Sequence, residues 1–402
     1  MCNTKRILIV TAVFPPEPVV SAQISYDLAT ELSKKYNVTV LCPPPTRPNG
    51  KKFNKRVNNT NPFNIIVVES YTHPESDFIG RMRESWDFGR KTVKYIRTYH
   101  QEIECIYINT WPIFAQYLAL DIAKKYKIPI IVHIQDIYPE SMLSRLGFIG
   151  KMIAKPFLVL DKLKMSQATY IFAISEKMKH YISKSRDINV SKIKTIRNWQ
   201  NESLFKEEHY CRNLKSNKFT FMFAGSISPA ANVPFVIKSF IHANLNNVRL
   251  IIAGDGSDKD KCLAIAAQYP DLDITFCSIT PETVYTVQKE ADVLILSLKK
   301  GIGYTASPSK LPAYMFSSKP VLAVVDKESD VEYIINESNC GWICEAENED
   351  ELIDNMTYIT QLSNELLIEK GISARKYALT HFTKDINLKL MMDTVNSLCN
   401  NG

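Results

Sequence analysis

Short, uninterrupted runs of β-branched and other apolar residues recur along this chain, each separated from the next by a stretch long enough for a helix. The first series covers 6–11, 37–41, 64–69, 105–109, 129–134, 169–174 and 192–196. A run without polar alternation is buried on both faces, and strands covered on both faces by intervening helices form a parallel sheet. After a polar stretch, 198–218, the same rhythm restarts at 219–224, 248–253, 274–277, 293–297, 320–324 and 341–344. The pattern predicts an α/β protein of two doubly wound, Rossmann-like domains joined by that polar linker. Its 402 residues suffice for two separate cores. Residues 365–398 read as helix with no strand after them.

Several function classes fall away at this stage. No apolar run approaches the roughly 18 residues of a membrane span. The apolar run behind Lys5 and Arg6 begins like a signal peptide, but Pro15-Pro16 ends it without a small-residue cleavage site, so it is read as the first buried strand. Nine scattered cysteines, with Cys340 and Cys344 the only close pair, suit reduced thiols in a cytosolic protein better than a zinc site. Asp271 and Asp273 precede their strand, at the sheet end away from a ligand, so no divalent metal or other cofactor is expected. Charge is uneven. Residues 1–200 hold 30 Lys and Arg against 16 Asp and Glu, whereas 201–402 hold 19 against 26. A basic half suits an anionic surface, and without zinc-finger, RNP or helix-turn-helix patterns a membrane surface is expected rather than nucleic acid. The segments 81–100 and 151–164, where basic residues interleave with Trp86, Phe88, Ile153, Phe157 and Leu158, are the expected contact, with packing of ordinary amphipathic helices as the alternative.

Open parallel sheets bind ligands beyond the carboxyl ends of their strands, which confines the search to post-strand segments. The first such segment, Phe14-Pro15-Pro16-Glu17, leads into a helix near Ser21 and lacks the glycine-rich turn of a dinucleotide site. The fifth strand ends in His133-Ile134-Gln135-Asp136-Ile137-Tyr138-Pro139-Glu140, a cluster of polar groups before a proline. In the second series, Gly225-Ser226 and Gly254-Asp255-Gly256 are small-residue turns, each suited to plain turn chemistry or to a base and ribose lying against backbone. The segment from Gly301 to Lys310, including Ser307, Pro308 and Ser309, follows a strand and opens a helix. There, N–H groups without intrahelical acceptors and the Lys310 charge suit a diphosphate. A capped helix with a solvated lysine is the plainer alternative.

Together these segments resemble the retaining glycosyltransferases of family 4, the glycogen-synthase-like group with the GT-B fold, and look closest to bacterial surface-polysaccharide (capsule or O-antigen) enzymes. The motifs are Pro15-Pro16-Glu17, His133 to Ser141, Ile174-Ser175-Glu176-Lys177-Met178, Arg197-Asn198-Trp199, Gly254-Asp255-Gly256 and Ser307-Pro308-Ser309-Lys310-Leu311. The resemblance implies an acceptor-binding domain at 1–197, with a C-terminal crossover helix (382–402) packing back on it, and a sugar-nucleotide-binding domain at 198–381. It implies hexosyl transfer from a nucleotide-diphosphate sugar to a lipid-linked or polysaccharide acceptor, on the cytoplasmic face of the cell membrane and without a metal. His133 matches a histidine beside the transferred sugar; with Asp136 and Lys310 it makes up the expected catalytic set. Ser21 and Ala22 stand where relatives carry phosphate-approaching glycines, and Ser278 matches the backbone that reads the base. Asn198, Gly225, Ser226, Gly254, Gly256, Ser307, Pro308 and Ser309 complete the expected donor site. The family's two glutamates are replaced by Thr305 and Ala313, and its Arg and Lys after the first strand of the second domain are missing from Ser226-Ile227-Ser228. Two other functions stay open: a degenerate, non-catalytic homologue that binds or scaffolds, and a sugar-nucleotide epimerase using Asp136 and Glu140.

Overall fold

A computed structural model describes residues 6–47, 53, 61–73, 78–109, 114–140, 147–200, 202, 205, 218–280, 282–302, 308 and 310–399; the side chains of 78 and 147–154 are not among them. The chain divides into two compact units, 1–198 with 387–402, and 199–386.

The first unit holds strands β1 (Arg6–Thr11), β2 (Asn37–Cys42), β3 (Asn64–Val67), β4 (Ile103–Asn109), β5 (Ile130–Ile134), β6 (Tyr170–Ala173) and β7 (Ile193–Thr195). They form one sheet in the order β3-β2-β1-β4-β5-β6-β7, parallel throughout. Helices α1 (Val20–Leu32), α2 (Phe78–Tyr99), α3 (Phe114–Tyr126), α4 (Gly147–Met165) and α5 (Glu176–Arg186) connect the strands. Leu8, Val10, Ile106, Ile108, Ile130 and Val132 join the helix residues Ala115, Ala119 and Ile182 in one core.

The second unit repeats the plan with β8 (Phe219–Ala224), β9 (Val248–Ala253), β10 (Ile274–Cys277), β11 (Val293–Ser297), β12 (Val321–Val325) and β13 (Gly341–Glu345), in the order β10-β9-β8-β11-β12-β13. Successive side chains of a strand point to opposite faces. Accordingly Met222 and Ala224 enter one core with Leu294 and Leu296, while Phe221 and Phe223 enter the other with Val293 and Ile295. Coverage on both sides explains why these strands read as unbroken apolar runs. The helices are α6 (Val233–Ala243), α7 (Lys259–Ala266), α8 (Val284–Gln288), α9 (Lys310–Phe316), α10 (Asp330–Ser338), α11 (Glu349–Thr360) and α12 (Asn364–His381).

The helical stretch expected at 365–398 is two helices, α12 and α13 (Lys384–Cys399), because Phe382 leaves helical geometry and buries its ring in the second unit's core. From Asn387 onward α13 belongs to the first unit. The Asn387 side-chain oxygen accepts from the Arg197 N–H at 2.8 Å, and Asn396 accepts from the Tyr36 hydroxyl at 2.6 Å.

In each sheet the order reverses direction once, between β1 and β4 and between β8 and β11. Connections leave to opposite sides at such a point, opening a crevice at the carboxyl ends of the strands. Ser21 and His133 in the first unit, and Gly225, Ser226 and Lys310 in the second, lie near these points, whereas Asn198 and Ser278 follow the edge strands β7 and β10.

Candidate functional site

In the first unit a cleft of about 70 Å³ opens where β1, β4 and β5 end, lined by Val13, Ser21, Asn109, Tyr117, His133, Gln135, Asp136, Tyr138 and Asp161 among others. His133 is 1% exposed. Its Nδ1 lies 2.7 Å from the Tyr107 hydroxyl, and its Nε2 lies 3.1 Å from the Gln135 side-chain nitrogen. Burial removes the water that would solvate an imidazolium and lowers the His133 pKa to about 3, so the ring is neutral at physiological pH. A neutral, fixed imidazole can orient a sugar hydroxyl; it is not a proton store. Asp136 is exposed at the rim.

One side of this cleft rests on a network centred on Arg186, a residue that sequence reasoning did not single out. Arg186 of α5, 2% exposed, donates through Nε to Asp161 at 2.8 Å, through Nη2 to the Tyr138 carbonyl at 2.8 Å and to Glu140 at 2.7 Å, and through Nη1 to Glu140. The Tyr117 hydroxyl donates to the other Asp161 oxygen at 2.7 Å. Burial alone would raise Glu140, but the Arg186 hydrogen bonds and charge outweigh it and hold its carboxyl below the usual range. Asp161 is raised, since burial exceeds what Arg186 returns. Glu140 is therefore a structural counter-ion, which removes one of the two acid–base carboxylates that an epimerase reading needs.

Ser21 lines the cleft, whereas Ala22 is fully buried with its N–H bonded to the Val19 carbonyl at 3.1 Å. A phosphate cannot use that N–H without breaking the turn. Asn198, the last residue of the first unit, is half-buried, and its side-chain oxygen has no hydrogen-bond partner among the described residues.

In the second unit the turns after β8 and β9 pack backbone to backbone. The Ile227 N–H donates to the Asp255 carbonyl at 2.8 Å and the Asp258 N–H to the Ile227 carbonyl at 3.1 Å. A Cβ on Gly254 (φ +146°) would come within 2.0 Å of the Gly225 carbonyl oxygen, and one on Gly256 (φ +155°) within 2.3 Å of that of Ile227. These two glycines are thus required by turn packing, whatever ligand the turns carry. Gly225 has a different reason. A Cβ there would meet Cε of Lys310 at 2.3 Å, because the lysine side chain runs across it. Lys310 Nζ ends 3.1 Å from the Ser226 carbonyl oxygen and 4.5 Å from the centre of the Phe223 ring. Burial lowers its pKa to about 8, and no carboxylate pairs with it among the described residues.

The ammonium therefore sits at the turn after the unit's first strand, beside the position where the sequence lacks its expected Arg and Lys. The helix behind it, α9, has only 7 residues, so Lys310 rather than a long helix dipole dominates the local charge. Ser278 is exposed just past β10, and Pro308 is half-buried before α9. Ser307, Ser309 and Thr305 lie outside the described residues; Ala313 is half-buried on α9. Among the described residues no group of His, Cys, Asp or Glu could hold a metal ion.

The family model described as Glycosyltransferase Family 4 matches residues 22–202, and that described as Glycosyl transferases group 1 matches 205–375. The chain belongs to the GT-B glycosyltransferases. No curated protein sequence matches this glycosyltransferase at a significant level. Among solved structures it is similar to a glycosyltransferase from Rickettsia africae, with 14% identity and a TM-score of 0.69 over 100% of both chains. HepE of Anabaena, solved with UDP-glucose, shares 14% identity over 98% of this glycosyltransferase and 99% of HepE, with a TM-score of 0.63. WaaG, a glycosyltransferase involved in lipopolysaccharide biosynthesis, shares 14% identity over 96% and 98%, with a TM-score of 0.62. At such identities the likeness to the solved structures concerns the fold.

On the surface of the glycosyltransferase, one expectation needs correction. Phe88, counted among the membrane-facing residues, is 2% exposed and belongs to the core. Among the described residues the exposed large apolar side chains of α2 are Ile79, Trp86 and Tyr99, and those of α4 are Val159, Leu160 and Leu163, near the exposed Lys155 and Lys162. Helical spacing alone could have pointed to the second set, since 159, 160 and 163 share one face. The side chain of Ile153 lies outside the described residues. No helix of the described residues is long and apolar enough to cross a membrane.

Proposed function

We propose that this glycosyltransferase moves a hexose, with retention, from a nucleotide-diphosphate sugar to a lipid-linked or polysaccharide acceptor in cell-surface polysaccharide synthesis, without a metal. The donor is assigned to the second unit and the acceptor to the first. The observation that carries the reading is Lys310: a half-buried cation without a carboxylate partner among the described residues, stationed at the strand-order reversal of the second sheet. Such a cation is costly unless an anion joins it, and a departing diphosphate supplies one whose charge grows as the glycosidic bond breaks. His133 and Asp136, in the cleft of the first unit, are given to positioning the sugar and the acceptor. The HepE complex with UDP-glucose and the lipopolysaccharide role of WaaG are in keeping with this choice of substrates. Incubation with a panel of nucleotide-diphosphate hexoses, with product configuration read by NMR, tests it. An inverted product refutes retention, and isomerised donor without transfer refutes transfer.

Lys310 also fixes a pH dependence. Its folded pKa of about 8 lies below the ordinary 10.5, so the unfolded state binds the proton more tightly. Stability therefore rises as pH climbs from about 8 towards 10.5. Nucleotide-diphosphate binding has the opposite sign, because the anion favours the protonated amine. Affinity should weaken above about pH 8, and Lys310→Arg, which stays charged, should flatten the profile. Calorimetric titration from about pH 7 to 9.5 checks this, and a level wild-type profile counts against it.

Attachment to the inner face of the membrane belongs to the same proposal. Val159, Leu160, Leu163 and Trp86 would meet the interface, with neighbouring lysines each adding about 1 kcal/mol near an anionic surface. Sedimentation with anionic but not neutral liposomes at low salt is expected, and loss of that difference in the wild-type protein removes the membrane from the reading.

A further inference from the structure

A second ring stands behind the cleft histidine and controls where its proton sits. Tyr107 on β4 is fully buried, and Tyr107 pairs with Ile131 of β5, which places its side chain on the same face as His133 two residues further on. The two rings stand edge to face, with centroids 5.9 Å apart, and the hydroxyl lies 2.7 Å from His133 Nδ1. Nδ1 is the one hydrogen-bond partner of the Tyr107 hydroxyl among the described residues. A phenol has one hydrogen and two lone pairs. Inside the core that hydrogen has no acceptor within reach among the described residues except Nδ1, and a phenol that accepted from the ring instead would leave it buried and unpaired. The buried ring is neutral and carries a single proton, so a ring that accepts at Nδ1 must be protonated at Nε2. A half-turn of the Gln135 amide, 3.1 Å away, places its oxygen where it accepts that proton.

We infer that Tyr107 is a positioning residue for sugar transfer: its hydroxyl donates to Nδ1 of His133 and fixes the ring as the Nε2–H tautomer. The nitrogen at the cleft then offers a donor to a substrate oxygen, and Gln135 holds that donor until the substrate takes its place. His133 acts as a hydrogen-bond donor, not as a base. The tautomer rests on the Tyr107–His133 contact in a ring that burial keeps neutral; only its kinetic consequence rests on the proposed place of His133 beside the sugar.

The test is a long-range nitrogen–proton NMR correlation on the full chain labelled with [15N]histidine. The His133 signals are identified as those lost in His133→Gln. The wild-type protein should show an unprotonated Nδ1 and a protonated Nε2. Tyr107→Phe keeps the ring but removes the donor, and should shift the tautomer ratio about tenfold or more towards Nδ1–H, with kcat falling on the order of tenfold and KM changing little. A wild-type Nδ1 that carries the proton overturns the inference, as does a tautomer ratio unaltered in Tyr107→Phe. Should Tyr107→Phe not fold, the wild-type spectrum decides alone. Full turnover in His133→Gln would instead overturn the placement of His133 beside the sugar.

Discussion

Arg186→Ala should lower the stability of the protein by about 3–5 kcal/mol, because it removes the one cation from a buried cluster and leaves two carboxylates facing each other. Arg186 is 2% exposed and holds Glu140, Asp161 and the Tyr138 carbonyl together, with Tyr117 completing the set on Asp161. Water reaches Glu140 only in part and Asp161 hardly at all, so it cannot fully replace the lost charge. Without the arginine, both acids would have folded pKa values above their unfolded ones. Their contribution would then be present at low pH and lost as pH rises through the folded values, so the variant should regain stability as pH falls towards 5 or so. Arg186→Lys keeps the charge without the planar fork and should recover less than half of the loss. Urea unfolding of the three proteins measures these differences, and a loss below about 1 kcal/mol would mean the cluster behaves like an exposed ion pair. Turnover should fall along with stability, since Tyr117, Tyr138 and Asp161 line the cleft that Arg186 braces.

Lys310→Ala should leave the fold in place and reduce turnover on the order of 100–1,000-fold, or about 3–4 kcal/mol of transition-state stabilisation. The lysine crosses Gly225 to reach the Ser226 carbonyl, so its ammonium is held in place before any donor arrives. Preorganisation of this kind is what makes a charge effective against a leaving group. Removing a cation that burial disfavours should not destabilise the protein, which separates this outcome from a folding defect. Lys310→Arg should restore part of the rate; the larger guanidinium must pass the same glycine. Steady-state kinetics with the active donor, alongside a thermal melt, give both readings. Near-normal transfer by Lys310→Ala would return this residue to the solvated lysine of the plainer reading.

The sheets were legible in the sequence for a physical reason. Strands buried on both faces, such as 219–224 and 293–297, carry an unbroken apolar signal, and both coincide with observed strands. His133 could be singled out because a polar residue ending an apolar strand is conspicuous. Arg186 could not, since on a helix rich in Lys and Ser it looks like another surface charge, and only the fold brings Glu140 and Asp161 to it. Tyr107 was hidden for the opposite reason: inside an apolar strand, an aromatic reads as core, and its hydroxyl found a role through a neighbouring strand. Lys310 was marked for its place after β11, but its course across Gly225 towards the turn after β8 follows from strand order, which sequence does not state. Phe88 faces the core, not solvent, because interleaved basic and aromatic residues do not reveal which side of α2 is buried.

The return of α13 from the second unit to the first has a consequence for how the protein comes into being. The first unit is assembled from two separate pieces of chain, whereas the second is one continuous piece. During synthesis from the N-terminus, the second unit is complete before the ribosome has made the residues that bind Arg197 and Tyr36. The unit that is translated first is thus finished last. A fragment ending near 386 would contain every strand of both sheets and still leave the first unit without its closing helix.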